Sequence, residues 1–175
     1  EQKMEARSFA EFTAVPFAVE FRVEKCDAAS AKPMDNSLHT AHITAFWTVH
    51  NVNKNSKNHR DMIWFGVPLY DVRYPNPQGH QALDVGQEDA TGKFICTIPG
   101  NRLFDEPIAI GKWYTLSCDL VPLIKEALAS SKAKGYLTET SYADLAATSF
   151  NLGWEVPGTY DCAITLRNLS LTGSE

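Results

Sequence analysis

The stretch Asp61-Met62-Ile63-Trp64-Phe65-Gly66-Val67-Pro68-Leu69-Tyr70-Asp71 decides how the rest of the chain is read. It is apolar enough to cross a core, yet Gly66 and Pro68 interrupt it where a helix would fail. In an extended chain successive side chains point to opposite faces. Ile63, Phe65, Val67 and Leu69 therefore fall on one side, and Met62, Trp64, Pro68 and Tyr70 on the other. The aliphatic side predicts a core face. The side with Trp64 and Tyr70 is either a second buried layer or an aromatic floor that meets a ligand.

Working outward, Phe17, Val19, Phe21 and Val23 alternate with Ala18, Glu20, Arg22 and Glu24, the pattern of a half-buried strand. His39 to Asn51 alternates in the same way: Ile43, Ala45, Trp47 and Val49 read as core, against His42, Thr44, Phe46, Thr48 and His50. The hydrophilic segment 51–60 then predicts a turn that brings this strand beside the Trp64 strand. Further strands are expected at Lys93 to Ile98, Lys112 to Leu120, Ser149 to Glu155 and Tyr160 to Leu171, the last two joined by a Val156-Pro157-Gly158 turn. Cys26 to Ser37 and residues 71–92 read as loops, punctuated by Pro33, Pro75, Pro77 and Gly79. One helix is expected, capped by Asp119, with Pro122 in its first turn, an apolar stripe of Ile124, Ala127 and Leu128, and Gly135 as its stop. Residues 141–144 read as a single further turn. Seven or so strands interrupted by one helix predict an all-β fold, an antiparallel sandwich or barrel, in one domain spanning 1–175 with residues 1–16 as an N-terminal extension.

Composition narrows the partners. The 175 residues are 44% hydrophobic and 11% aromatic, ordinary for a globular chain, and 16 Lys+Arg against 21 Asp+Glu give a formal charge of −5. No basic patch suits a phosphate backbone, so nucleic acid is excluded as a partner. No apolar run reaches the length of a membrane span, and residues 1–4 carry no signal-peptide pattern, which predicts a soluble chain. Cys26, Cys96, Cys118 and Cys162 lack zinc spacing. They read either as buried free thiols or as one or two disulfides, with Cys96 and Cys118 on neighbouring strands as the candidate pair.

The residues of opposite parity to the core include His42, Thr44, Phe46, Thr48 and His50, then Trp64 and Tyr70, Trp113, Thr115 and Ser117, Asn151 and Glu155, and Thr165 with Arg167. Flat aromatics among amides, hydroxyls and charges suit sugars, which offer apolar ring faces rimmed by hydroxyls. An ordinary sandwich also exposes a polar face of this composition.

Phe150-Asn151-Leu152-Gly153-Trp154-Glu155-Val156-Pro157-Gly158-Thr159-Tyr160-Asp161, followed by Ala163 to Leu171, resembles the closing strands of jelly-roll domains of the carbohydrate-binding-module and concanavalin-like kind, and 64–71 resembles the same domain type. The resemblance implies a β-sandwich from a secreted or cell-surface polysaccharide-processing protein, a groove for a polysaccharide or oligosaccharide, and often a structural calcium ion. Glu20, Asp119 and Asp161 are the oxygen donors expected near strand ends for such an ion.

The expected function is therefore non-catalytic carbohydrate binding, with Trp64 and Trp113 stacking on sugar rings, Tyr70 beside them, and Arg73, Asn151, Glu155 and Arg167 orienting hydroxyls. For Arg73 the competing reading is a local ion pair with Asp71. Trp47 and Trp154 read as core. The alternatives are a jelly-roll glycoside hydrolase, for which Glu155 with Asp71 or Asp161 supplies the two carboxylates, a polysaccharide lyase with His42, His50 or Tyr70 as base and Arg73 or Arg167 as neutraliser, or a protein-interaction accessory module.

Overall fold

The computed structural model describes residues 2–29, 35, 39–156 and 160–175. Among the described residues nine strands form two sheets. In chain order they are β1 (Gln2–Lys3), β2 (Pro16–Ala28), β3 (His42–Asn51), β4 (Met62–Asp71), β5 (His80–Leu83), β6 (Phe94–Thr97), β7 (Tyr114–Asp119), β8 (Leu145–Glu155) and β9 (Tyr160–Leu171). The larger sheet has the order β1-β8-β3-β4-β6-β5 and the smaller β7-β2-β9. All pairings are antiparallel except β4 with β6. Pro157 and Gly158 of the expected Val156-Pro157-Gly158 turn and most of the Cys26–Ser37 loop fall outside the described residues, and β2 runs on through Cys26 to Ala28.

The two sheets share one apolar core. At its centre Phe17 of β2 meets Trp47 of β3 edge-on, with ring centroids 4.9 Å apart, and Phe150 of β8 lies 5.0 Å from Trp47. The alternation read in β2, β3 and the first half of β4 is the alternation observed: Phe17, Val19, Phe21, Val23, Ile43, Ala45, Trp47, Val49, Ile63, Phe65 and Val67 are all buried. Cys96 belongs to the larger sheet and Cys118 to the smaller, so the expected pair of neighbouring strands does not exist, and both remain free thiols.

Pro68 sits in a central strand, where a residue without an N–H is tolerated only at a break in the ladder. Two features accommodate it. The β4–β6 ladder ends at Gly66 with Thr97, and on the other side Thr44 pairs with Pro68 while Ile43 pairs with Tyr70, leaving Leu69 as a bulge. The extra residue reverses the parity of everything after it. Tyr70, expected beside Trp64, turns inward with only 7% exposure and packs edge-on against Trp154 at 5.9 Å. Asp71 takes the outward position opposite His42.

The helix α1 (Leu120–Ala133) forms where the sequence places it and packs against β4 and β5. Asp119 does two jobs at its start: the Val121 N–H donates to Oδ1 at 3.1 Å, and the Val15 N–H donates to the same oxygen at 2.8 Å. Asp119→Ala removes the cap and strands the Val15 donor, and is expected to cost about 2 kcal/mol in urea unfolding. The loop expected over 71–92 contains the short edge strand β5, whose residues His80, Gln81, Ala82 and Leu83 carry no alternation to reveal it.

Candidate functional site

The face of the larger sheet turned away from the core is built in cross-strand rows. Strand register places His42 between Asp71 and Glu155, Thr44 between Pro68 and Gly153, Phe46 between Gly66 and Asn151, and Thr48 between Trp64 and Ser149. Gly66 makes the third row possible. A Cβ there would come within 2.7 Å of both Phe46 Cε1 and Thr97 Cγ2, so its absence lets the Phe46 ring lie across β4. The result is an apolar floor of Phe46, Met62, Trp64 and Ile95 bordered by Thr48, Ser149, Asn151 and Glu155, enclosing a hollow of about 570 Å³. It continues along the strands toward His42, Asp71, Arg73, Tyr74 and Gln78.

The row at that end carries the charge. Arg73 donates to Asp71 from its backbone N at 3.0 Å, from Nε at 2.9 Å and from Nη2 at 2.6 Å. Asp71 is 7% exposed, and the three donors keep a carboxylate with so little water from being an isolated buried charge. The same bonds raise the Arg73 pKa above its ordinary value. Glu155 is held differently. Its Oε2 lies 3.1 Å from His42 Nε2, and that hydrogen bond, more than burial opposes it, lowers the Glu155 pKa. His42 Nδ1 is buried and without a partner among the described residues, which is consistent with the tautomer that donates from Nε2. Adjacent strands are about 4.8 Å apart, so the Asp71 and Glu155 backbones, one strand either side of His42, are about 10 Å apart.

At the far end of the face Ser149, Thr48, Thr148 and His50 form a continuous chain of hydrogen bonds of 2.7, 2.8 and 2.7 Å. Burial lowers the His50 pKa. His50 lies eight positions along β3 from His42, so these two groups belong to opposite ends of the face.

Of the residues singled out in the sequence, Trp64, Asn151, Glu155 and Arg73 come together on this face, with Arg73 engaged by Asp71 in the local ion pair that was its competing reading. Tyr70 is turned into the core by the bulge. Trp113 and Arg167 are elsewhere: both lie on the outer face of the smaller sheet, on the opposite side of the sandwich, with the Arg167 guanidinium 4.0 Å and that of Arg22 5.2 Å from the Trp113 ring centroid. The expected pairing of Trp64 with Trp113 on one surface is therefore corrected. Parity separates inside from outside but does not say which sheet a strand joins.

The three expected calcium donors do not fit a calcium site. Glu20 accepts from Arg167 and Asn168, Asp119 caps α1, and Asp161 pairs with Lys25. Asp119 lies opposite Pro16 and Asp161 opposite Asp27, which with Glu20 spreads them along β2 from Pro16 to Asp27. Among the described residues no group of three or more His, Cys, Asp or Glu could hold a metal ion. By simple alternation Asp71 falls on the core side of its strand, with Leu69, and the structure turns it to the groove face. The signal for Asp71 was Pro68, since a proline inside a central strand announces the bulge that reverses the parity beyond it.

No protein-family model matches the chain, and no curated protein matches it by sequence. Solved structures do match by fold. A native family 12 xyloglucanase from Bacillus licheniformis aligns with a TM-score of 0.51 at 16% identity over 96% of this chain. A structure from a comparison of family 12 glycoside hydrolases aligns with a TM-score of 0.50 at 9% identity over 97% of it. The chain spans 66% of each of those chains. The sandwich is thus of the jelly-roll kind. The expectation of a non-catalytic binding module is corrected by these neighbours, which are glycoside hydrolases.

Proposed function

We propose that the outer face of the larger sheet is the cleft of a glycoside hydrolase acting on a polysaccharide. The observation that carries this reading is the row Asp71–His42–Glu155, two carboxylates one strand either side of a histidine at the end of an aromatic-floored groove. Glycoside hydrolysis in most families uses two carboxyl groups flanking the scissile bond, one moving a proton and the other stabilising or attacking the anomeric carbon. Asp71, fixed by three donors from Arg73 and turned toward the groove, takes the second role. Glu155 takes the first, because it has one oxygen on His42 and a side chain that is 66% exposed, free to reach a leaving-group oxygen. Trp64 and Phe46 supply the ring-stacking floor. The fold neighbours, named as a xyloglucanase and as family 12 glycoside hydrolases, support the reaction class. A polymeric substrate in turn favours a secreted or cell-surface location. Lyase chemistry is less well served, since the Arg73 guanidinium that would neutralise a uronate is already consumed by Asp71.

The test is reducing-end release from a panel of polysaccharides that includes xyloglucan. Wild-type protein is expected to release reducing ends from at least one member. Trp64→Ala is expected to raise KM roughly three- to tenfold with little change in kcat and an unchanged melting temperature. A panel on which the folded wild-type chain releases nothing would overturn the reading.

A further inference from the structure

On the opposite side of the core from the groove floor, Cys26 of β2 and Cys162 of β9 are directly opposed in register, with their Sγ atoms 3.4 Å apart. Directly opposed residues of an antiparallel pair have Cα atoms about 4.5–5.5 Å apart, inside the range of about 4.4–6.8 Å that disulfides span, so the backbone needs little movement for the two sulfurs to bond. Both thiols are unbonded here. They differ in access: Cys26 is buried and touches the Tyr70 hydroxyl, whereas Cys162 is only partly buried on an edge strand. Cys96 and Cys118 have no such neighbour, being on different sheets.

We propose that Cys26 and Cys162 form a modification site, a dithiol that closes into a cross-strand disulfide when it meets a low-molecular-weight disulfide. Cys162, the accessible partner, attacks one sulfur of the small disulfide as its thiolate. This gives a mixed disulfide and releases one small thiol. Cys26, after losing its proton, attacks the Cys162 sulfur, breaks the mixed disulfide and releases the second small thiol. Two protein thiols are oxidised, one small disulfide is reduced, and the two thiol protons end on the two released thiols. Burial raises both thiol pKa values, that of Cys26 to about 12, so closure is slow at neutral pH. The new bond would lie under the carboxylate row, because Tyr70, which contacts Cys26, precedes Asp71 and packs on Trp154, which precedes Glu155.

The experiment uses the full chain and oxidised glutathione, and does not involve a glycan. Alkylation under denaturing conditions is expected to label four cysteines before oxidation and two after it, with a peptide cross-link joining residues 26 and 162. Because the bond closes a loop between positions 136 apart, the melting temperature should rise by roughly 10 °C and return on reduction. Cys162→Ser should show neither the cross-link nor the rise. The proposal is overturned if all four thiols remain alkylatable, if the cross-link joins another pair, or if glutathione stays on Cys162 unresolved.

Discussion

Glu155→Gln is expected to lower glycan cleavage by about 10²–10⁴-fold while leaving the chain folded, because an amide keeps the shape and a hydrogen bond to His42 but cannot deliver a proton. The pH dependence follows from the groups around it. The His42 hydrogen bond lowers the Glu155 pKa, so the protonated form needed for donation to a leaving group is populated only at acid pH. Activity is then present below that lowered pKa and lost as the pH rises through it. His42→Ala removes the bond that favours the carboxylate, so the Glu155 pKa moves back up and the alkaline limb of kcat/KM moves up with it. The folding linkage runs the other way: a depressed carboxylate pKa stabilises the folded chain above the unfolded value, and that contribution fades as the pH falls through the folded one. A pH–rate profile whose alkaline limb is unmoved in His42→Ala would remove Glu155 from the proton-donor role. Comparable activity in Glu155→Gln would remove it from the reaction.

The sequence carried what depends on short-range physics. Period-two alternation located β2, β3 and the first half of β4, and Asp119, Pro122 and Gly135 bracketed α1, because each of these signals acts within a few residues. Two kinds of information were not local. Trp113 has the same outward parity as Trp64, yet the sheet it joins is set by pairing of β7 with β2, a strand almost a hundred residues earlier. Tyr70 and Asp71 exchange faces because of one unpaired residue, Leu69, and a one-residue slip inverts every side chain after it. The β8 alternation brings Glu155 outward, as the structure shows, and so places it on the groove face. Placing Asp71 there required the proline to be read as a break in the ladder, a reading that also explains why the groove has an acidic end.

The core makes the largest demand on stability at Trp47. Its ring is fully buried and touches Phe17 across the sheets, and Phe65 and Phe150 on the strands either side of β3, with centroids 4.9, 6.2 and 5.0 Å away. Trp47→Ala removes the one side chain common to all three contacts, and is expected to cost about 3–5 kcal/mol, a large part of the margin of a domain this size. In thermal unfolding that is a fall of roughly 10–15 °C. The indole N–H introduces a second effect of opposite sign, since Nε1 is buried and has no hydrogen-bond partner among the described residues. An unsatisfied buried donor costs about 1–3 kcal/mol, so Trp47→Phe loses part of the packing but also removes that penalty. The phenylalanine variant is expected within about 2 kcal/mol of wild type in urea unfolding, well above the alanine variant, because a ring still fills the space between Phe17 and Phe150. Equal destabilisation of the two variants would mean that the N–H is satisfied, and that its bond and not the ring's bulk is what joins the two sheets at this point.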